Sequence, residues 1–175
     1  MSLEGKTVFI LVEKIYEDLE LQYPRVRFLE AGATVKIVGP QEGATYESKH
    51  GYPQKADVAA KDVKGSDCDA LIIPGGYSPD HMRRTPDMVR VVQEAYDAGK
   101  VVAAICHAGW MLCSADIVRG RKVTGFFSIK DDLVHAGGEY VDEECVVDGN
   151  LVTSRTPADL PAFTKAILKL LGDGE

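Results

Sequence analysis

Four short strand-like segments constrain the fold of this chain more than any other feature. Residues 7–12, 70–73 and 101–105 are apolar runs, and residues 33–38 form a fourth such segment, in which Thr34 and Lys36 interrupt the apolar side chains. A continuous apolar run of this length is typical of a β-strand that is covered on both faces. Because strand and helix alternate along the chain, the pattern predicts a parallel sheet with helices on both faces, an α/β sandwich.

The segments between the runs complete this prediction. Residues 43–63 are polar and broken by glycine and proline, which predicts a small hairpin or excursion. Residues 141–152 predict a β-hairpin that turns at Asp148-Gly149-Asn150. With neither a linker nor a repeat, the chain is expected to be one domain over residues 1–175. Helices are predicted over residues 19–31, 86–98, 107–117 and 128–137, and from Thr156 to about residue 171.

Composition excludes several classes of protein. The net charge of −7 comes without a basic stripe, so we expect no nucleic-acid scaffold as partner. No apolar run approaches the roughly 20 residues that cross a bilayer, and the first residues do not resemble a signal peptide. The four cysteines form no C-x-x-C pair and no zinc-like spacing. A cytoplasmic protein with free thiols, no metal and no cofactor is therefore predicted.

The stretch "AAICHAGW" (103–110) places a cysteine where a buried strand ends. Small residues, Ala104 and Ala108, lie two positions before and after Cys106, as in a nucleophile elbow. The helix that follows would favour the thiolate and lower the pKa of the thiol, and the His107 N–H would be free to stabilise an oxyanion. The remaining cysteines lack this setting and are expected to be structural: Cys68, Cys113 and Cys145.

The base for such a nucleophile is less clear from the residues alone. His107 is adjacent to Cys106, and neighbouring helical side chains diverge, so it is either the catalytic neighbour or a capping or solvent-facing histidine. His135 is followed by Ala-Gly-Gly-Glu, so the late His-x-Glu pair of a glutamine-amidotransferase triad is absent.

Two further strand ends carry candidate site residues, because ligands bind beyond the carboxyl ends of such sheets. Gly75 and Gly76 follow the third strand, where they either form only a turn or aim an N–H at an oxyanion. Glu17 and Glu20 follow the first strand. These acidic residues either stabilise the N-terminus of the helix that follows or bring a carboxylate to the thiol. In the second case, burial would raise the pKa of that carboxyl group.

Six ordered stretches cover nearly the whole chain: "YEDLELQYP" (16–24), "GATYESKHGY" (43–52), "DALIIPGGYSPD" (69–80), "AAICHAGWMLCSADIVRGRKVT" (103–124), "IKDDLVHAGGEYVD" (129–142) and "VVDGNLVTSRTPADLPAF" (146–163). Together they resemble the DJ-1/PfpI superfamily, and most closely its PfpI-like intracellular protease branch. The resemblance implies a flavodoxin-like three-layer sandwich with a mainly parallel sheet and a nucleophile elbow. It also implies Cys106 as the nucleophile, His107 as its catalytic neighbour, and a glutamate that touches the cysteine, with Glu20 preferred over Glu17.

The same resemblance implies that an adjacent subunit supplies the acid of the triad, in a dimer or hexamer. Asp80 lies at that position, where the family typically has the longer glutamate. The chain also has Ala108-Gly109-Trp110 where protease-like members continue with Gly-Pro, so Trp110 either lines the pocket or packs. Phe126 stands where DJ-1 itself has a histidine.

Three functions agree with these residues. The first is a cysteine hydrolase, either peptidase-like or a deglycase that removes glyoxal adducts, with a role in stress or carbonyl detoxification. The second is a glutathione-independent glyoxalase, and the third is an oxidation sensor or chaperone that uses Cys106 without catalysis. An enzyme is favoured because acid, thiol and oxyanion donors converge on one sheet edge. Its substrate would be a small aldehyde, a peptide or a glycated molecule.

Overall fold

A computed structural model describes residues 2–172, and its main sheet has seven strands. All neighbouring strands of this sheet pair in parallel, apart from one antiparallel pair at an edge. In chain order the strands are β1 (Thr7–Leu11), β2 (Thr34–Gly39), β3 (Thr45–Glu47), β4 (Pro53–Lys55), β5 (Val58–Ala59), β6 (Ala70–Ile73), β7 (Val101–Ile105), β8 (Lys122–Val123), β9 (Glu139–Tyr140), β10 (Val146–Asp148) and β11 (Leu151–Ser154). The sheet order is β10-β11-β7-β6-β1-β2-β5.

The helices form the two outer layers. They are α1 (Asp18–Glu30), α2 (Ser78–Met82), α3 (Pro86–Asp97), α4 (Gly109–Ser114), α5 (Lys130–His135) and α6 (Leu160–Gly172). Successive residues of β1 alternate between two buried clusters: Val8 packs with α1 and α6, and Phe9 packs with α3 and α4. The predicted three-layer sandwich with a mainly parallel sheet is therefore confirmed. In residues 2–172, no helix is long and apolar enough to cross a membrane.

Three segments differ from the predicted elements. The helix expected over 107–117 is a 3-10 turn, Cys106–Ala108, followed by the six-residue α4. The hairpin expected over 141–152 pairs only β10 with β11, whereas β9 pairs in parallel with β8. Within 43–63, the chain forms the expected hairpin, β3–β4, and then adds β5 to the edge of the main sheet. Residues 1 and 173–175 of the predicted domain lie outside the described residues.

The sheet order brings three strand ends together. Because β7, β6 and β1 are neighbours and parallel, their carboxyl ends lie side by side at one edge. Cys106 follows β7, Gly75 and Gly76 follow β6, and the segment after β1 leads to Tyr16, which pairs with Gly76. The residues with candidate chemistry are therefore neighbours in space.

Candidate active site

Cys106 occupies a sharp turn between strand β7 and helix α4. Its φ is 61°, in the left-handed region, which costs residues with a side chain about 1–2 kcal/mol. Small neighbours make the turn sterically feasible. Ala108 is fully buried, and a Cβ at Gly109 would lie 2.9 Å from Ile129 Cδ1. The predicted nucleophile elbow is thus present, with a strained cysteine at its bend.

Glu20 is the carboxylate that reaches the thiol. Its side chain is fully buried, and its Oε2 accepts a hydrogen bond of 2.7 Å from the Gly75 N–H. Its Oε1 has no hydrogen-bond partner among the described residues, and the Cys106 thiol lies beside the carboxyl group. Burial raises the pKa of Glu20 to about 8, so the carboxyl group is protonated at neutral pH. A protonated Glu20 can donate a hydrogen bond to sulfur.

Gly75 and Gly76 have different roles in this geometry. A Cβ on Gly75 would lie 2.6 Å from Glu20 Oε2 and 2.8 Å from Cys106 Cβ, so no larger residue fits. Its N–H is already donated to Glu20, which makes Gly75 a support for that carboxyl group rather than an oxyanion donor. The N–H groups of Gly76 and His107 instead face the sulfur. These two groups are the candidate oxyanion donors.

The prediction that the Cys106 thiol has a low pKa is wrong for this structure. Burial, together with the negative charge of ionised Glu20, raises the pKa of Cys106 to about 12, although the N–H groups of His107 and Gly76 act to lower it. The sequence argument relied on a helix dipole, but α4 has only six residues and begins after the 3-10 turn. Protonation of Glu20 removes its repulsion of the thiolate. Burial, the largest contribution, still favours the neutral thiol, so the resting thiol needs a base.

His107 is placed to be that base. Its Nδ1 lies 3.2 Å from Cys106 Sγ. The argument that adjacent side chains diverge does not apply here, because Cys106 has left-handed rather than helical backbone angles. Burial of the half-buried ring and the positive charge of Lys49 hold the pKa of His107 below its usual range. The imidazole is thus neutral at pH 7 and can accept the thiol proton.

Trp110 supports His107 from outside the cavity. The two rings meet edge to face at 5.2 Å, and the indole N–H donates a hydrogen bond of 2.8 Å to Asp132. Tyr77 packs against the same indole at 6.0 Å. Of the two interpretations left open for Trp110, the structure places it in the packed position and not in the cavity wall.

A cavity of about 370 Å³ opens over the sulfur. Apolar groups form much of its wall, while Glu17 and Lys49 supply charge at its side. This size suits a small molecule or a single modified side chain. The lining residues are Ile15, Glu17, Glu20, Lys49, Gly76, Tyr77, Cys106, His107, Phe126 and Pro157.

Lys49 is a site residue that the sequence interpretation missed. It lies between β3 and β4 and forms an ion pair with Glu17, so Glu17 faces Lys49 while Glu20 faces the thiol. Asp18 holds this hairpin, because its carboxylate accepts a hydrogen bond of 2.6 Å from the Ser48 hydroxyl and lies 2.8 Å from His50 Nδ1. The signal in the sequence was the stretch "SKHGY", which carried the family resemblance but had no assigned chemistry.

Asp80 does not contact His107 within the described chain. It lies in α2 and forms an ion pair with Arg84. The Nε2 of His107 instead lies 3.2 Å from Ser128 Oγ. A role for Asp80 across a subunit boundary stays a prediction. Throughout residues 2–172, no group of three or more His, Cys, Asp or Glu residues is arranged to hold a metal ion.

Comparison with known proteins places this geometry in a family. The sequence model of the DJ-1/PfpI family matches residues 6–170. Deglycase PH1704 of Pyrococcus horikoshii is 44% identical over 164 residues, which cover 94% of this chain and 98% of that protein. The putative cysteine protease YraA of Bacillus subtilis is 42% identical over 167 residues, which cover 95% of this chain and 99% of that protein.

A solved structure shares the fold over nearly the whole chain. Drosophila melanogaster DJ-1beta superimposes with a TM-score of 0.88 at 27% sequence identity. The match covers 98% of this chain and 91% of that one. The flavodoxin-like fold expected from the sequence is therefore confirmed.

Proposed function

Because the chain belongs to the DJ-1/PfpI family, we propose that it is a cysteine-dependent deglycase, a hydrolase that releases amines and thiols from their glyoxal or methylglyoxal adducts. The predicted cysteine hydrolase of deglycase or peptidase type agrees with the names of its relatives. The observation that carries the proposal is the contact of 3.2 Å between Cys106 Sγ and a neutral His107 within one small cavity. We also propose that residues 1–175 form a single domain, which carries this activity.

The chemistry begins with proton transfer. His107 Nδ1 takes the thiol proton, and the Cys106 sulfur displaces the amine or thiol from the carbinol carbon of the adduct, so that a hemithioacetal forms on Cys106. The N–H groups of Gly76 and His107 are the donors for the enediolate oxyanion that forms in the next step. The proton held by His107 is then available to the departing amine or thiol.

The second half of the reaction releases the acid. A proton shift between the two former carbonyl carbons, through an enediolate, converts the hemithioacetal to a thioester, and water hydrolyses the thioester to a 2-hydroxy acid and the free thiol. One water is consumed and no external oxidant is needed, because one carbon is oxidised while its neighbour is reduced. Protonated Glu20 lies beside the sulfur throughout and can donate to it.

A panel of purified substrates tests this function. We expect the protein to release free N-acetylcysteine and N-acetylarginine, with a 2-hydroxy acid, from their preformed methylglyoxal adducts. The same reaction is run with a scavenger amine that traps free methylglyoxal. A deglycase continues to act on the adduct in its presence, since its substrate is the adduct itself.

The other outcomes assign the site differently. Lactate formation that stops when the scavenger is added would identify a glyoxalase and contradict the deglycase proposal. Cleavage of a casein-type substrate without adduct release would identify a peptidase, the activity in the name of the B. subtilis relative. Absence of turnover on every substrate would favour an oxidation sensor.

We also propose that the protein self-associates through α1. This helix buries Leu21 and Phe28 but leaves four large apolar side chains exposed on another side, with exposed fractions of 56% for Leu19, 40% for Tyr23, 58% for Val26 and 46% for Leu29. A helix with apolar side chains on two sides is typical of an element with two packing partners. A second copy of the chain in a dimer, or in a hexamer built from dimers, is the proposed partner of this surface.

The four free cysteines support a cytoplasmic location.

A mixing experiment tests whether Asp80 acts across the subunit boundary. A Cys106→Ser chain and an Asp80→Asn chain are each expected to be weakly active, and mixing them should restore part of the activity. Hybrid interfaces then pair an intact cysteine with an intact acid. Asp116→Asn is the matched control, because Asp116 also forms a surface ion pair, with Arg119, and should keep full activity.

Two results would contradict an active site that is shared between two subunits. If labelled chains exchange between oligomers and no activity returns, Asp80 is not the acid for the neighbouring subunit. A monomer by light scattering at the assay concentration would exclude any contribution from a partner.

A further inference from the structure

We propose that Ser128 is the positioning residue for His107: its hydroxyl accepts the Nε2–H of the imidazole, so that the lone pair of Nδ1 faces the Cys106 thiol. The inference rests on the proposed function only in that it concerns the base of the same site. It assigns the orienting contact to this chain itself.

The contact geometry carries this proposal. The two nitrogens of His107 have separate partners, Cys106 Sγ at 3.2 Å from Nδ1 and Ser128 Oγ at 3.2 Å from Nε2. A neutral imidazole has a single N–H. If Nδ1 is to take the thiol proton, the N–H must reside on Nε2, and a hydroxyl oxygen there stabilises that tautomer.

The backbone fixes the distance between Ser128 and His107. Ser128 lies in the 3-10 turn Phe127–Ile129. Phe126, the residue before this turn, is bonded to the elbow, because its N–H donates a hydrogen bond of 3.1 Å to the Cys106 carbonyl. The Ile129 N–H then closes the turn on the Phe126 carbonyl at 3.0 Å. The segment that presents the hydroxyl is thus anchored on the cysteine that the histidine serves.

Aromatic rings fix the plane of the imidazole. Phe126 stacks on His107 with ring centroids 4.8 Å apart, and Trp110 meets it edge to face at 5.2 Å. With the plane fixed, the remaining freedom of the neutral ring is the choice of tautomer. The two contacts together favour the Nε2–H tautomer, because the neutral thiol donates towards Nδ1 while the hydroxyl accepts at Nε2 without adding negative charge beside the imidazole. Lys49 is the charged group that acts on His107.

The contact is compatible with an acid from another subunit. A serine hydroxyl offers one donor and two acceptor sites. Ser128 can therefore accept the proton of His107 Nε2 and donate its own to a carboxylate at the same time. The proposal consequently stands or falls independently of Asp80.

Nitrogen NMR of the imidazole rings tests the tautomer directly. The chain has four histidines, and a His107→Asn variant identifies the signals of His107. The ¹⁵N-labelled protein at pH 7.5 is expected to show a protonated Nε2 and an unprotonated Nδ1. In Ser128→Ala we expect a mixture of both tautomers, and in Ser128→Thr the original one. An unchanged tautomer in Ser128→Ala would overturn the proposal, whatever the enzyme acts on.

Kinetics supply the second readout. Ser128→Ala is expected to lower kcat about 3- to 10-fold, the effect of losing one neutral hydrogen bond, with little change in KM. Ser128→Thr should recover most of kcat. Ser128→Asp should move the acidic limb of the pH profile to higher pH, because a carboxylate beside the imidazole raises its pKa.

A distant serine provides the matched control. Ser66 is exposed and lies before the start of β6, at the edge of the sheet away from the cavity. Ser66→Ala should leave the tautomer, kcat and pH profile unchanged. A tautomer change in Ser128→Ala without any loss of kcat would contradict the positioning role.

Discussion

Replacing Cys106 with serine is expected to reduce turnover by about 1000-fold or more while the fold stays intact. Serine is nearly isosteric with cysteine and occupies the same strained turn at the same backbone cost. Its hydroxyl is a much weaker acid than a thiol, and a single imidazole at 3.2 Å activates it poorly. Initial rates on a preformed methylglyoxal adduct measure the effect, and circular dichroism with thermal unfolding verifies the fold.

Cys113→Ser is the control for this substitution. Cys113 lies in α4, outside the cavity, with its Sγ 3.8 Å from the Asp132 carbonyl. We expect this variant to keep at least half of the activity. Wild-type turnover in Cys106→Ser would instead make Cys106 structural and remove the basis of the proposed function.

Glu20→Gln is expected to remove a large pH dependence of stability. The pKa of Glu20 is raised from its ordinary value of 4.5 to about 8 by burial, so the folded state keeps a proton that the unfolded state loses. The free energy of unfolding should therefore fall as pH rises from 4.5 to 8 and then level off. At 1.36 kcal/mol for each pKa unit, this group contributes on the order of 5 kcal/mol to the fall.

Denaturant unfolding at pH 5, 6, 7 and 8.5 measures this slope. Glutamine resembles the protonated acid, since its carbonyl oxygen can still accept the Gly75 N–H, and it does not titrate. Glu143→Gln is the control, because Glu143 is exposed and does not line the cavity, and it should keep the wild-type slope. Equal slopes in wild type and Glu20→Gln would show that Glu20 is not held protonated.

The sheet was predictable from the sequence because its central strands are buried on both faces. Residues 70–73 and 101–105 are continuous apolar runs, and every residue of β6 and β7 is buried. The approximate place of the site followed from the same pattern, since parallel neighbours end at one edge. By contrast, β9 pairs with β8, which lies about 17 residues earlier in the chain, so the local pattern favoured a nearer hairpin.

The electrostatics of the site were not predictable, because they depend on contacts between distant segments. The buried carboxyl group of Glu20 accepts a hydrogen bond from the N–H of Gly75, which lies 55 positions further along the chain. Burial of the Cys106 side chain itself, with the charge of ionised Glu20 as the second cause, reverses the direction expected for the pKa of the thiol. Helix position suggested a thiolate, whereas desolvation of the side chain outweighs the short helix.

The partners of His107 were missed for a similar reason. Ser128 lies 21 positions away in an irregular turn, where no periodic pattern marks its hydroxyl. Lys49 enters the cavity only because the β3–β4 hairpin docks on Asp18. Even the contact between His107 and Cys106 required a positive φ that a helical interpretation of residues 107–117 does not contain.

Trapping the thioester tests the central claim most directly. The wild-type protein, mixed with a ¹³C-labelled methylglyoxal adduct and quenched in acid during turnover, is digested and analysed by mass spectrometry, with hydroxylamine added in a parallel reaction. We expect a labelled hydroxyacyl group on the Cys106 peptide, its absence from Cys106→Ser, and diversion of product to the hydroxamate. Sustained turnover with neither a label on Cys106 nor any hydroxamate would contradict a cysteine nucleophile.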